Sequence, residues 1–133
     1  MANIIDTAKY ILDIYKSTTG IKLHKLLFYC QLGHFLKHNE ALIENADFIM
    51  EDYGILCPNL YSKIPELVSG NTNRLTKKEI LSIEETLIHY AKLTIHELID
   101  LNKKEIPVGT KVTFPEILSL YKKSPTSTNH PSN

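Results

Sequence analysis

The sequence predicts a mainly α fold: a compact bundle of about six helices with a short β-hairpin or two short extended segments. Three observations lead there. Apolar residues recur at spacings of three and four along several windows, the period of a helix with one buried face. Two Thr-x-x-Glu boxes, Thr76–Glu79 and Thr94–Glu97, mark helix starts, because each side chain bonds an amide that the other end leaves open. Residues 21–38 are apolar over more than half of a helical circumference, which predicts a central helix touched on several sides.

The first helix spans residues 3–16, with Ile4, Ile5, Ala8, Ile11, Leu12 and Tyr15 on its stripe. Asn3 is placed to cap it, and Asp6 sits where a negative charge favours the helix dipole. Ser17, Thr18, Thr19 and Gly20 form a turn cluster, with Thr19 as the cap of the next helix. That helix carries Leu23, Leu26, Leu27, Phe28, Tyr29, Cys30, Leu32, Phe35 and Leu36, while Lys22, Lys25 and Lys37 fall off the main stripe. Positive charge at its start opposes the dipole, so Lys22 and Lys25 need a carboxylate partner or solvent.

Residues 48–53 read as a short strand before Gly54, within a small hairpin or an irregular loop. Pro58 suits the first turn of a helix with Leu60, Tyr61, Ile64, Leu67 and Val68 on one side; Pro65 breaks or kinks it. A loop follows at residues 69–73. The helix begun at Thr76 carries Ile80, Ile83, Leu87 and Tyr90 and runs to about Lys92; the one begun at Thr94 carries Ile95, Leu98, Ile99 and Leu101. Val108, Gly109 and Thr110 suit a turn between two very short extended pieces. Pro115 opens a last short helix with Ile117, Leu118 and Tyr121, and residues 124–133 read as a disordered tail.

A chain of 133 residues fits one domain. Its 15 basic and 15 acidic residues balance, which argues against a protein that coats nucleic acid, since phosphate binding needs a basic surplus. Two cysteines, Cys30 and Cys57, make no disulfide scaffold and predict reduced thiols in a cytoplasmic compartment. No signal peptide is visible, and no apolar run approaches the roughly 20 residues that cross a bilayer.

Several constellations bear on chemistry. Cys30, His34 and His38 lie on one face of the central helix, but its ends are about 12 Å apart at roughly 1.5 Å per residue, so only one neighbouring pair can share a metal. The blander reading is a face that becomes solvated toward the helix end. Cys57, before Pro58 at a helix start, is placed to favour a thiolate, whereas Cys30 is set among apolar residues that make a thiol inert. Asp47, Glu51 and Asp52 form either a loop surface or a partner for Lys22 and Lys25. A DNA-binding regulator is the alternative for a small helical protein, but Glu79, Glu84 and Glu85 on the helix from Thr76 repel phosphate. The seven tyrosines serve either a core with polar tips or a binding surface.

Residues 19–31, Thr-Gly-Ile-Lys-Leu-His-Lys-Leu-Leu-Phe-Tyr-Cys-Gln, resemble the signature helix of the Panacea domain, also called SocA-like or phage-associated GepA-like. Thr19, Lys22, Leu23, Lys25, Leu26, Leu27, Tyr29 and Gln31 stand at its fixed places. A second block, residues 48–61, is similar at Gly54, Pro58, Leu60 and Tyr61, and the helices after Thr76 and Thr94 resemble the family's later pair. The likeness covers residues 3 to about 101 and, more weakly, to 123, giving one domain over residues 1–123. Ile55 stands where the family has proline, and residues 103–112 lack the family's tryptophan.

The resemblance implies an antitoxin that neutralises its own cognate toxin, encoded by an adjacent gene, by direct binding. One branch of the family delivers its toxin to a Clp-type protease. Neither enzymatic activity, nor a cofactor, nor a membrane is implied. For Lys22 and Gln31 two readings stand: hydrogen bonds to the 48–61 segment, or contact with the toxin. The binding face is expected on the exposed sides of that segment and of the later helices.

Overall fold

Helix α2, Gly20–His38, is the element on which the others are laid. Every residue from 23 to 32 is buried, so this helix has no solvent face over that stretch, as its all-round apolar sequence predicts. The structure, a computed structural model, describes residues 1–18 and 20–113. The cap expected at Thr19, the helix expected from Pro115 and the tail at 124–133 lie outside the described residues.

Around α2 stand α1 (Ile4–Ile14), α3 (Pro58–Lys63), α4 (Lys77–Tyr90) and α5 (Ile95–Glu105), with strands β1 (Phe48–Glu51), β2 (Gly54–Leu56) and β3 (Lys111–Val112). These five α-helices are those expected before Pro115; the sixth falls outside the described chain.

Asn3 caps α1 by accepting the Ile5 amide at 2.7 Å. Asp6 does more than favour the dipole. It is buried, accepts the Asn71 amide at 2.8 Å and lies 3.8 Å from the Arg74 guanidinium, so it ties the 69–73 loop down. Helix α2 ends at Asn39, whose φ of 55° is the left-handed conformation that asparagine tolerates. Both capping boxes are complete: Thr76 accepts from the Glu79 amide at 3.1 Å while Glu79 accepts from the Thr76 amide at 2.8 Å, and Thr94 and Glu97 repeat the exchange.

The strands form one antiparallel sheet in the order β2-β1-β3. Met50 pairs with Ile55 on one side of β1, and Phe48 with Val112 on the other. Gly54, at φ +96°, turns the hairpin. Only one of the two extended pieces expected around Gly109 is a strand, because Ile106 is taken up as the C-cap of α5.

Pro65 does end α3. The chain continues as a tighter 3-10 turn, Ile64–Ser69, and this rotates the expected apolar stripe apart. Leu60 enters the core and Leu67 packs at its margin, but Tyr61, Ile64 and Val68 face solvent.

Candidate functional site

The residues of the 19–31 block meet the hairpin along the outer edge of β2. In β1, Met50 turns its amide and carbonyl toward the β3 side: its amide reaches Thr110 O at 3.0 Å and its carbonyl accepts from Gly109 N at 2.7 Å. Its partner Ile55 therefore points its own amide and carbonyl away from β1, toward an edge with no further strand among the described residues. Three side chains take that strand's place. Asn102 of α5 accepts the Ile55 amide at 3.0 Å, Lys25 donates to the Ile55 carbonyl at 3.4 Å, and His24 Nδ1 accepts the Cys57 amide at 2.9 Å. Buried backbone groups left unpaired are costly, so this clamp is what allows a short hairpin to be buried at its edge.

Lys25 does not lie off the buried surface, as its place in the sequence pattern had indicated. It is fully buried and bonds a carbonyl where a carboxylate partner or solvent was expected. Burial pushes its ammonium down to about 8. Gly54 lies directly against it: a Cβ there would come within 2.6 Å of Lys25 Cε and 2.8 Å of Asn102 Oδ1. The positive φ and the absence of space both require glycine at that position. Burial, with the Lys25 charge adding to it, pushes His24 down to about 4, so the ring is neutral near pH 7. With Nδ1 accepting, its proton sits on Nε2.

The clamp continues inward. Asn102 Nδ2 donates to Tyr29 Oη at 2.8 Å, and Tyr29 donates to Glu105 at 2.8 Å. The Tyr29 ring stacks on Tyr90 at 4.0 Å. Lys22 donates to the Ala91 carbonyl at 2.6 Å, placing its charge at the C-terminal end of α4, where the helix dipole welcomes it. Gln31 bonds both main-chain groups of Ile43, at 2.7 and 3.0 Å, and fastens the segment between α2 and β1. Of the two readings for Lys22 and Gln31, hydrogen bonds to the 48–61 segment or contact with a toxin, the first is not what the structure shows: both bond main-chain groups elsewhere in the chain. That segment is held by His24 and Lys25 instead, one turn of helix being enough to change which side chain reaches it. Leu23, Leu26 and Leu27 are core; Pro58 is exposed at the first turn of α3, and Tyr61 is half-exposed with its ring 4.7 Å from His24.

Two members of this clamp, His24 and Asn102, were not singled out as site residues by the sequence. A signal existed for each. His24 interrupts an apolar helix, and Asn102 follows Leu98 by one helical turn, a core position filled by an amide.

His34 departs from expectation as well. It is buried, not solvated, with Nδ1 2.6 Å from Ser82 Oγ and Nε2 3.6 Å from the Glu40 carboxylate. Ser82 and His34 face each other inside the α2–α4 packing, where the order serine, histidine, carboxylate joins the two helices. Burial pushes the Cys30 thiol up to about 12 and Cys57 up to about 11, so the short helix after Cys57 does not produce the expected thiolate. Among the described residues no group of three His, Cys, Asp or Glu could hold a metal ion, and no helix is long and apolar enough to cross a membrane.

Two groups of exposed apolar side chains stand out among the described residues. Tyr61, Ile64 and Val68 line one side of α3 and its 3-10 extension, with Val68 88% exposed. Ile14 and Ile88 line a groove of about 260 Å³ between α1 and α4, and Leu81 is exposed on α4, seven residues before Ile88. No protein-family model, curated protein or solved structure matches this chain.

Proposed function

We propose that this chain is an antitoxin that neutralises a cognate toxin by direct protein–protein contact, and that it does so with surfaces other than its signature helix. One observation carries the reading. Lys22, His24, Lys25 and Gln31 of the 19–31 block are spent on internal hydrogen bonds, while Tyr61, Ile64 and Val68 stand in water on one short segment. Exposed apolar clusters rimmed by polar residues are what protein interfaces are built from. Tyr61 is the anchor in this scheme, because tyrosine is enriched among the few residues that dominate binding energy. The resemblance over residues 19–31 and 48–61 supplies the class of partner.

The test is co-expression with the product of the adjacent gene. The neighbour alone should arrest growth, this chain should restore it, and the two should purify together. Absence of toxicity from every neighbour, or rescue without association, would sink the proposal. Delivery to a Clp-type protease is a variant of the same binding. It predicts that the toxin's half-life lengthens when that protease is deleted.

A further inference from the structure

We propose that the groove between α1 and α4 is a docking site for a partner helix that presents two apolar side chains with a single basic residue between them. The proposal rests on the reading of this chain as a protein-binding molecule, and not on the partner being a toxin.

The groove is lined by Ile14, Tyr15, Glu84, Leu87 and Ile88. Leu81, Glu84 and Ile88 follow one another at spacings of three and four, so they form one ridge along α4. Leu81 is 57% and Ile88 64% exposed; Ile14 of α1 lines the groove with Ile88, and Leu81 continues the α4 ridge beyond it. From Leu81 to Ile88 the helix rises by roughly 10 Å, two turns, which is the spacing of anchors on a third helix laid along the pair.

Charge decides what that helix must carry. Glu84 is the one charged residue lining the groove. Its carboxylate accepts the Tyr10 hydroxyl at 2.7 Å. The neighbouring Glu85 is paired with Lys37 at 3.1 Å and Asp13 with Lys9 at 3.8 Å, while among the described residues Glu84 has no cation within ion-pair distance. Burial, with the Glu84 hydrogen bond and charge adding to it, pushes the Tyr10 phenol up to about 12, so it remains a donor to Glu84. An all-apolar partner would bury that charge without compensation, which costs several kcal/mol. A lysine or arginine set between two leucines would instead convert the charge into a charge-assisted hydrogen bond and give register.

The experiment is a methyl NMR titration of the full chain with two designed helical peptides. Both carry leucines seven residues apart; one has arginine between them and the other glutamate. The arginine peptide should shift the Ile14, Leu81 and Ile88 methyls and bind at least tenfold more tightly than the glutamate peptide. Glu84→Lys should reverse that order, and Glu84→Gln should bring the two peptides together. Glu84 is exposed, so circular dichroism melts should show both variants folded. Absence of methyl shifts with either peptide, equal binding of the two, or an order unchanged by Glu84→Lys would overturn the proposal. Failure of the titration leaves the antitoxin reading standing, because that reading is decided separately by co-expression with the adjacent gene's product.

Discussion

The edge of β2 and the outer faces of α3 and α4 invert the usual distribution of side chains. At the β2 edge, a lysine, a histidine and an asparagine are buried and bonded. On α3 and α4, isoleucine, leucine, valine and tyrosine stand in water. The difference separates two tasks. The buried polar groups replace a missing strand and so fix one hairpin position, which apolar packing alone would leave free to slide. The exposed apolar groups contribute little to that position and are available to a partner. Lys22, His24, Lys25 and Gln31 of the 19–31 block are thereby turned inward, whereas Tyr61 of the 48–61 block stands among the exposed groups.

The sharpest way to break this contrast is Gly54→Val. It combines a side chain within 3 Å of Lys25 and Asn102 with a φ that β-branched residues avoid. A loss of about 4 kcal/mol or more is expected in urea denaturation, with no folded protein as the extreme outcome. Wild-type stability would show that the clamp can open freely.

Next comes pH. Lys25 has a folded pKa near 8, below its ordinary 10.5. The folded chain therefore binds its proton less well than the unfolded chain. The stability tied to the neutral amine is present above pH 10.5 and is lost as pH falls through 8. The full difference is on the order of 3 kcal/mol for a group this buried. Tyrosine and cysteine ionisation acts oppositely at high pH, since burial raises Tyr90, Cys30 and Cys57. The informative quantity is thus the difference between wild type and Lys25→Met across pH 7 to 10. It should shift in favour of wild type as pH rises; parallel curves would mean that Lys25 is hydrated. His24 adds a second window: with its folded pKa near 4, stability is full above its ordinary 6.5 and falls as pH drops toward 4.

A smaller effect is expected for Asn102→Ala, which leaves the Ile55 amide buried without its acceptor and should cost about 2 kcal/mol. Amide hydrogen exchange at Ile55 should accelerate with it; an unchanged rate would mean another acceptor takes over. The smallest stability change belongs to the other side of the comparison. Val68→Asp should alter the melting midpoint by no more than about 0.5 kcal/mol equivalent, because the side chain is 88% exposed. Under the antitoxin proposal, the same variant should lose association with the adjacent gene's product, measured by co-purification. Retained binding would move the interface off α3.

Local order was legible because it is written in local chemistry. Asn3, Thr76 with Glu79, and Thr94 with Glu97 cap their helices through contacts a few residues apart, and Pro65 ends α3 by removing an amide. The burial of α2 followed from its all-round apolar surface. Which polar residue meets which segment was not legible. His24, Lys25 and Asn102 reach the hairpin across 33, 30 and 47 positions of sequence, distances over which spacing carries no information.

By itself, then, the sequence determined a mainly helical chain, though with about six helices expected where the described residues hold five, together with two capping boxes, a hairpin or loop near Gly54 and a central α2, since periodicity and capping act within a turn or two. Tertiary structure alone decided that Lys25 is buried, that His34 meets Ser82, and that Tyr61, Ile64 and Val68 are left outside. Each depends on the twist and tilt with which whole elements meet. A rotation of one residue about α2 would exchange the side chain that clamps β2 for its neighbour.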